Sequence, residues 1–114
     1  HQNVRYSAEI SRAKEFIREN YADSGISLHM VAAEVGFSPN HFSTVFSQET
    51  GQTFVEYLTA VRIEAAKHLL TEGNSRMSDI AFDVGYQDSH YFSYLFKKHI
   101  DVFPREYRSW SEEG

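Results

Sequence analysis

The sequence predicts an all-α fold of about seven helices, built as two similar halves around a long central helix. Three observations carry that expectation. One seven-residue phrase occurs twice: Val31-Ala32-Ala33-Glu34-Val35-Gly36-Phe37 returns as Ile80-Ala81-Phe82-Asp83-Val84-Gly85-Tyr86, each pair alike in size and charge except Ala33 against Phe82. The likeness continues past the glycine, where Phe42-Ser43 and Phe46 return as Phe92-Ser93 and Phe96 once one residue is inserted ahead of His90, and Glu56-Tyr57 returns as Glu106-Tyr107. In segment after segment the apolar residues fall three and four apart, which is the helical period. A short helix, a glycine turn and a second helix, stated twice, are two helix-turn-helix units. The expected division is residues 1–52 for the first subdomain, 53–73 for the linker helix and 74–114 for the second.

Each element follows from local chemistry. Ser7 is read as the cap of a first helix whose stripe is Ile10, Ala13, Phe16, Ile17 and Tyr21, ended by Asp23-Ser24-Gly25. Ser27 then caps a short helix through Val35 with Leu28, Val31, Ala32 and Val35 inward; Gly36 supplies a left-handed turn and Phe37 plugs the core. Ser38-Pro39 reads as N-cap and first helical residue of a helix to about Thr50, stopped by Gly51, with Phe42, Val45 and Phe46 as its buried stripe. Thr53-Phe54-Val55-Glu56 matches a capping box and opens the linker helix, with Phe54, Tyr57, Leu58, Val61, Ala65 and Leu69 at helical spacing and Gly73 as its stop. From Phe54 to Leu70 that rod spans roughly 25 Å, of the order of one turn of B-DNA at about 34 Å. The second copy assigns Ser78 as a cap, a helix through Val84, a turn at Gly85, Asp88 as the next cap, a helix to about Ile100, and Pro104 opening a short closing helix; residues 109–114 are expected to fray.

Composition narrows the function. With 114 residues, 41% hydrophobic and 15% aromatic, the chain can bury one compact core or two small ones sharing a helix. It has no cysteine, so disulfides and thiolate metal sites are excluded, which suits a cytoplasmic location. No apolar run is long enough to cross a bilayer, and the start lacks the pattern of a signal peptide, so no membrane partner is expected. Because the first residue is His1, the chain reads as part of a longer protein. The formal net charge is −5, against the usual habit of surfaces that neutralise DNA phosphates. Its distribution matters more. No Lys or Arg lies between Arg18 and Arg62, whereas Arg62, Lys67, Arg76, Lys97, Lys98, Arg105 and Arg108 all fall later, so the second unit is expected to supply most of the electrostatic attraction.

A helix-turn-helix presents to the DNA major groove the face of its second helix opposite the core stripe. In the first unit this outward set is Asn40, His41, Ser43, Thr44 and Ser47; in the second it is Ser89, His90, Tyr91, Ser93, Tyr94 and Lys97. Asn pairs two-pronged with adenine, Ser and Thr bond several base edges, His donates to guanine, and Tyr touches a thymine methyl or a phosphate. For the serines an ordinary solvated face is the bland alternative. His41 and His90 read as matching places in the two copies, which argues for a common role, with packing around the turn as the competitor. Lys97 and Lys98, together with Arg76, Arg105 and the helix starts at Ser27 and Ser38, are expected to meet phosphates, as is Ser47. No histidine pair has metal-binding helical spacing, and there is no phosphate-binding glycine loop or nucleophile elbow; neither an enzyme, a metal site nor a cofactor is expected.

These residues resemble the DNA-binding domain of the AraC/XylS family of bacterial transcription regulators. The likeness runs from about Ser7 to Arg108 and is most specific in Arg62-x-x-x-Ala66-x-x-Leu69-Leu70, Ile80-Ala81-x-x-Val84-Gly85-Tyr86, Tyr91-Phe92-Ser93-x-x-Phe96-Lys97-Lys98 and Pro104-x-x-Tyr107-Arg108. It implies two helix-turn-helix subdomains on a linker helix, with recognition helices in successive major-groove segments. Carried over position by position, it implies Asn40, Ser43 and Thr44, then His90, Tyr91 and Tyr94, as the leading base-contacting places. Family members often carry Arg where Thr44 and Tyr94 stand, and glycine where Asp101 stands. The wording around Asn20-Tyr21 and Tyr57-Leu58-x-x-x-Arg62 is similar to the branch fused behind a receiver domain in two-component response regulators, although sugar-sensing members fit as well. The implied partners are double-stranded DNA, RNA polymerase, and an N-terminal receiver or ligand-sensing domain; the implied role is usually activation. The rival reading is an interaction module that keeps the scaffold and has lost useful DNA affinity, favoured by the bare stretch from Glu19 to Val61.

Overall fold

The computed structural model describes residues 5–113 and forms from them seven helices, with no strand among the described residues. In chain order these are α1 (Ser7–Asn20), α2 (Leu28–Glu34), α3 (Pro39–Thr50), α4 (Phe54–Thr71), α5 (Met77–Asp83), α6 (Ser89–Ile100) and α7 (Pro104–Glu113). Two compact units result. The first takes the chain through Tyr21 and Gly25–Leu58; the second takes Ala22–Ser24 and the chain from Thr59 onward, so α4 contributes to both.

In the first unit α2 packs on α1 and α3. Ile10, Ala13 and Ile17 of α1 meet Val31 and Ala32 of α2 and the Phe42, Val45 and Phe46 stripe of α3 in a core that also takes in Ile26. Phe16 and Tyr21 lie at its edge, half-buried, as does Phe37. The turn between α2 and α3 closes as its glycine requires: Gly36 sits at φ 77° and the Phe37 N–H donates to the Ala32 carbonyl at 2.9 Å. The second unit repeats the device, with Gly85 at φ 109° and the Tyr86 N–H donating to the Ala81 carbonyl at 2.9 Å. There Ile80, Ala81 and Val84 pack with Phe92, Leu95 and Phe96, and α6 also carries α7.

The helix starts separate used caps from unused ones. Ser27 and Ser38 accept from the N–H groups of Met30 and His41, each at 3.2 Å. The capping box at α4 is complete: the Thr53 N–H donates to Glu56 Oε1 at 2.8 Å and the Glu56 N–H to Thr53 Oγ1 at 3.1 Å. Glu106 repeats half of it, accepting from the Phe103 N–H at 2.9 Å, because phenylalanine replaces threonine at the cap of α7. Two expected caps are corrected. Ser7 lies inside α1, whose cap position is Tyr6, and Ser78 lies inside α5, whose cap position is Arg76; neither Tyr6 nor Arg76 makes a side-chain cap bond. α7 also stays helical to Glu113, where fraying from residue 109 was expected; residue 114 lies outside the described residues.

The linker stripe is the largest departure. Phe54 and Leu58 are buried as expected, but beyond them the interior positions are Thr59, Arg62, Ile63, Ala66 and Leu70, while Val61 and Ala65 are half-buried and Leu69 is exposed. The series 58, 62, 66, 70 holds one helical face, and an arginine occupies its second place. Arg62 is 7% exposed, donates through Nη2 to the Asp23 carbonyl at 3.0 Å, and lies 4.9 Å from the centre of the Tyr86 ring. An apolar count skips this position and slides the stripe aside.

Asp101 ends α6 in the left-handed conformation at φ 74°, where Gly51 ends α3 at φ 76°. A side chain there costs free energy that glycine avoids. Asp101→Gly should raise the midpoint of urea unfolding, worth about 0.5–1 kcal/mol, with an unchanged m-value; an unchanged or lowered midpoint would contradict the strain.

Candidate nucleic-acid interface

α3 and α6 are built on one plan. Each buries phenylalanines four residues apart, Phe42 with Phe46 and Phe92 with Phe96, all at 0% exposure, and each second phenylalanine meets a tyrosine edge: Tyr57 at 5.5 Å and Tyr107 at 5.6 Å between ring centres. That stripe fixes the rotation of the helix about its axis, so the opposite face is committed to solvent. On α3 the exposed set is Asn40, His41, Ser43 and Thr44, with Ser47 half-buried. On α6 it is His90, Tyr91, Tyr94, Lys97 and Lys98, with Ser89 and Ser93 half-buried. Ser27, half-buried, sits at the start of α2 rather than on a reader helix.

The pairing of His41 with His90 is corrected. With Ser38 and Asp88 as the caps, His41 is the third residue of α3 and His90 the second of α6, so the counterpart of His41 is Tyr91. Ring contacts agree: His41 packs 4.4 Å from Phe37, and Tyr91 packs 6.0 Å from Tyr86, the aromatic that follows each turn glycine. The counterpart of Asn40 is His90. His41 also meets Tyr6 at 5.5 Å, so an aromatic pocket steadies its ring although it stands exposed. Tyr91 and Tyr94, 52% and 58% exposed, stack on each other at 6.4 Å and give the second reader a flat aromatic face absent from the first.

Charge is arranged unevenly. In the first unit Arg12 is held by Glu34 at 2.8 Å. In the second, Arg62 is interior and unavailable to a ligand, which corrects its place among the attracting cations. Lys67 is engaged at 3.0 Å by Glu64, whose hydrogen bond raises its pKa against the opposing effect of burial. The exposed cations on or beside α6 and α7 are therefore Lys97, Lys98 and Arg105, with Arg76 at the start of α5. Lys97 lies 4.9 Å from the Phe103 ring centre and 3.4 Å from the Asp101 carbonyl. Phe103, itself 48% exposed, floors a shallow trough along α6 of about 430 Å3 that His90, Tyr94, Lys97 and Lys98 also line. Phe103 had no sequence signal beyond its place before Pro104. Asp88 caps α6 by accepting from the N–H groups of His90 at 2.9 Å and Tyr91 at 3.3 Å, so its negative charge is spent on the helix start.

A helix-turn-helix domain family matches residues 31–109. The chain is 39% identical over 84 residues to the transcriptional activator Btr of Bacillus subtilis, covering 74% of this chain and 16% of Btr. It superposes on the C-terminal domain of AraT, a response regulator from Geobacillus stearothermophilus, with a TM-score of 0.85 and 37% identity, over 89% of this chain and 84% of that one. The DNA-binding domain of AdpA, a global transcriptional factor solved with a target DNA, shares the fold at a TM-score of 0.82 and 19% identity, over 88% and 89% of the two chains. The chain spans 16% to 36% of the length of the curated relatives it matches.

The caps generate a test of helix-start energetics. Asp88→Ala, which strands two N–H groups, should lower stability by about 1 kcal/mol, whereas Asp88→Ser, copying Ser38, should lower it by less than half of that; urea unfolding of both variants measures the difference, and equal losses would refute the cap assignment.

Proposed function

The chain belongs to the AraC/XylS family of helix-turn-helix DNA-binding domains, and from that premise we propose that α3 and α6 are its two readers of double-stranded DNA, entering successive major-groove segments. The observation that carries this reading is the shared plan of the two helices, each pinned by buried phenylalanines with a polar face turned to solvent. The base-contacting residues are Asn40, His41, Ser43 and Thr44 in the first reader and Ser89, His90, Tyr91 and Tyr94 in the second. Ser27, Ser38 and Ser47 approach phosphates without charge, and Arg76, Lys97, Lys98 and Arg105 approach them with it. Long-range attraction therefore resides in the second unit, while the first contributes hydrogen-bond discrimination.

The longer protein is read as a transcription regulator, with an N-terminal receiver or ligand-sensing domain and a contact to RNA polymerase. Response-regulator membership of AraT supports the receiver, and the activator Btr supports a positive role.

Selection of bound duplexes from a random pool tests the proposal. An enriched consensus is expected, with a log affinity against log salt slope on the order of 3 to 6. Lys97→Ala should weaken specific and random duplex alike, whereas Asn40→Ala and His90→Ala should each cost about 1–3 kcal/mol on the selected site alone. A pool that yields no consensus would return the chain to the interaction-module reading.

A further inference from the structure

Beyond the end of α6 stands a side chain to which the two-reader scheme gives no role. Phe103 is 48% exposed, and the Lys97 ammonium lies over its ring, 4.9 Å from the centre. Lys97 also donates through Nζ to the Asp101 carbonyl at 3.4 Å. The ammonium therefore has a ring face and a helix-end carbonyl as seats, and still keeps donors to offer outward. Phe103 floors the trough of about 430 Å3 that His90, Tyr94 and Lys97 also line, so a lysine seated there stays on the face of α6 that carries the reading residues.

The repeat supplies an internal control. Counted from Pro39 and Ser89, the first residues of α3 and α6, Lys97 takes the place of Ser47 and Phe103 the place of Thr53. Thr53 Oγ1 accepts from the Glu56 N–H at 3.1 Å, and phenylalanine has no atom for that task. The second copy thus gives up a cap and leaves half of an aromatic ring in water, two unfavourable choices at one residue. It is also the copy that carries a lysine at the facing place. Cation and ring occur together in the second unit and are both missing from the first, which closes without them.

A lysine side chain rotates freely, and holding it against a phosphate costs conformational entropy. A partner that attracts the ammonium beforehand removes part of that cost. A carboxylate would do so and cancel the charge; an uncharged ring attracts the ammonium through its quadrupole and leaves the charge for the phosphate.

We propose that Phe103 is a positioning residue for DNA binding: its ring holds Lys97 in the orientation in which the ammonium meets a backbone phosphate. This rests on the DNA-binding reading above and adds to it a residue that acts without touching a nucleotide.

Substitution at Phe103 separates this role from packing. Phe103→Thr restores the cap, so its urea midpoint should rise, while its affinity for specific and random duplex alike should fall about threefold. A purely structural role would move stability and binding in the same direction. Phe103→Trp keeps a π face and should retain wild-type affinity; Phe103→Leu, apolar without one, should bind as weakly as Phe103→Thr. In a Lys97→Ala background Phe103→Thr should weaken binding no further, whereas its loss should add to that of Lys98→Ala. In the protein without DNA, ring current from Phe103 should move the Lys97 methylene protons upfield, and Phe103→Leu should return them to ordinary lysine positions. Wild-type affinity in Phe103→Thr would overturn any part in binding. Wild-type affinity in Phe103→Leu, or additive losses for Phe103→Thr and Lys97→Ala, would overturn positioning in favour of a direct apolar contact with the duplex. Ordinary Lys97 resonances in the wild-type chain would overturn the pairing itself. A wild-type chain that binds no duplex would instead sink the preceding functional reading, and the Lys97 resonances would then decide the pairing alone.

Discussion

Everything outward-facing in this protein is set by two pairs of phenylalanines placed one helical turn apart and fully withdrawn from water. A buried aromatic side chain removes a large apolar area from solvent, and two in register leave a helix no freedom to roll about its axis. Rotation of α3 or α6 by one residue would bring polar groups inward and expose the rings. The polar faces are consequently not independent features but the geometric remainder of the core.

The same core explains how the copies differ in character without differing in fold. Positions held by packing, such as Val31 and Ile80 or Phe46 and Phe96, are alike in both units and buried in both. Positions the core does not touch have drifted apart: small hydroxyls on α3, stacked tyrosines and lysines on α6. Arg62 is the exception that enters the interior with a charge, and it does so with a carbonyl acceptor and an aromatic face within reach, the conditions under which burying a guanidinium is tolerable.

Much of this was legible in the amino-acid order. The glycine turns, the caps at Ser27, Ser38, Thr53 and Asp88, and the phenylalanine stripes all follow from local rules whose partners lie within five residues. What stayed hidden depended on partners far along the chain or on choices between equivalent signals. Ser7 and Ser78 are good caps that the helices bypass by starting one and two residues sooner. The interior face of α4 includes an arginine, which no hydrophobic pattern selects. His41 and His90 align when counted from the turn glycines and fall out of step when counted from the caps, because the inserted residue lies between. Lys97 belonged to a recognisable phrase, yet the Phe103 ring beneath it arrives from beyond the end of α6, where no helical spacing rule applies. Which base each exposed side chain meets is not encoded in the fold at all, since a solvated face looks the same before and after it is used.

The absence of Lys and Arg across the first reader has a corollary for salt dependence. Contacts made by amides and hydroxyls displace few counterions, whereas lysine and arginine contacts displace one for each phosphate neutralised. On the proposed division, raising the salt concentration loosens the hold of α6 and its surroundings on any duplex while sparing the discrimination exercised by α3. Affinity and selectivity then answer to different variables, the first to ionic strength and the second to the fit of amides and hydroxyls against base edges.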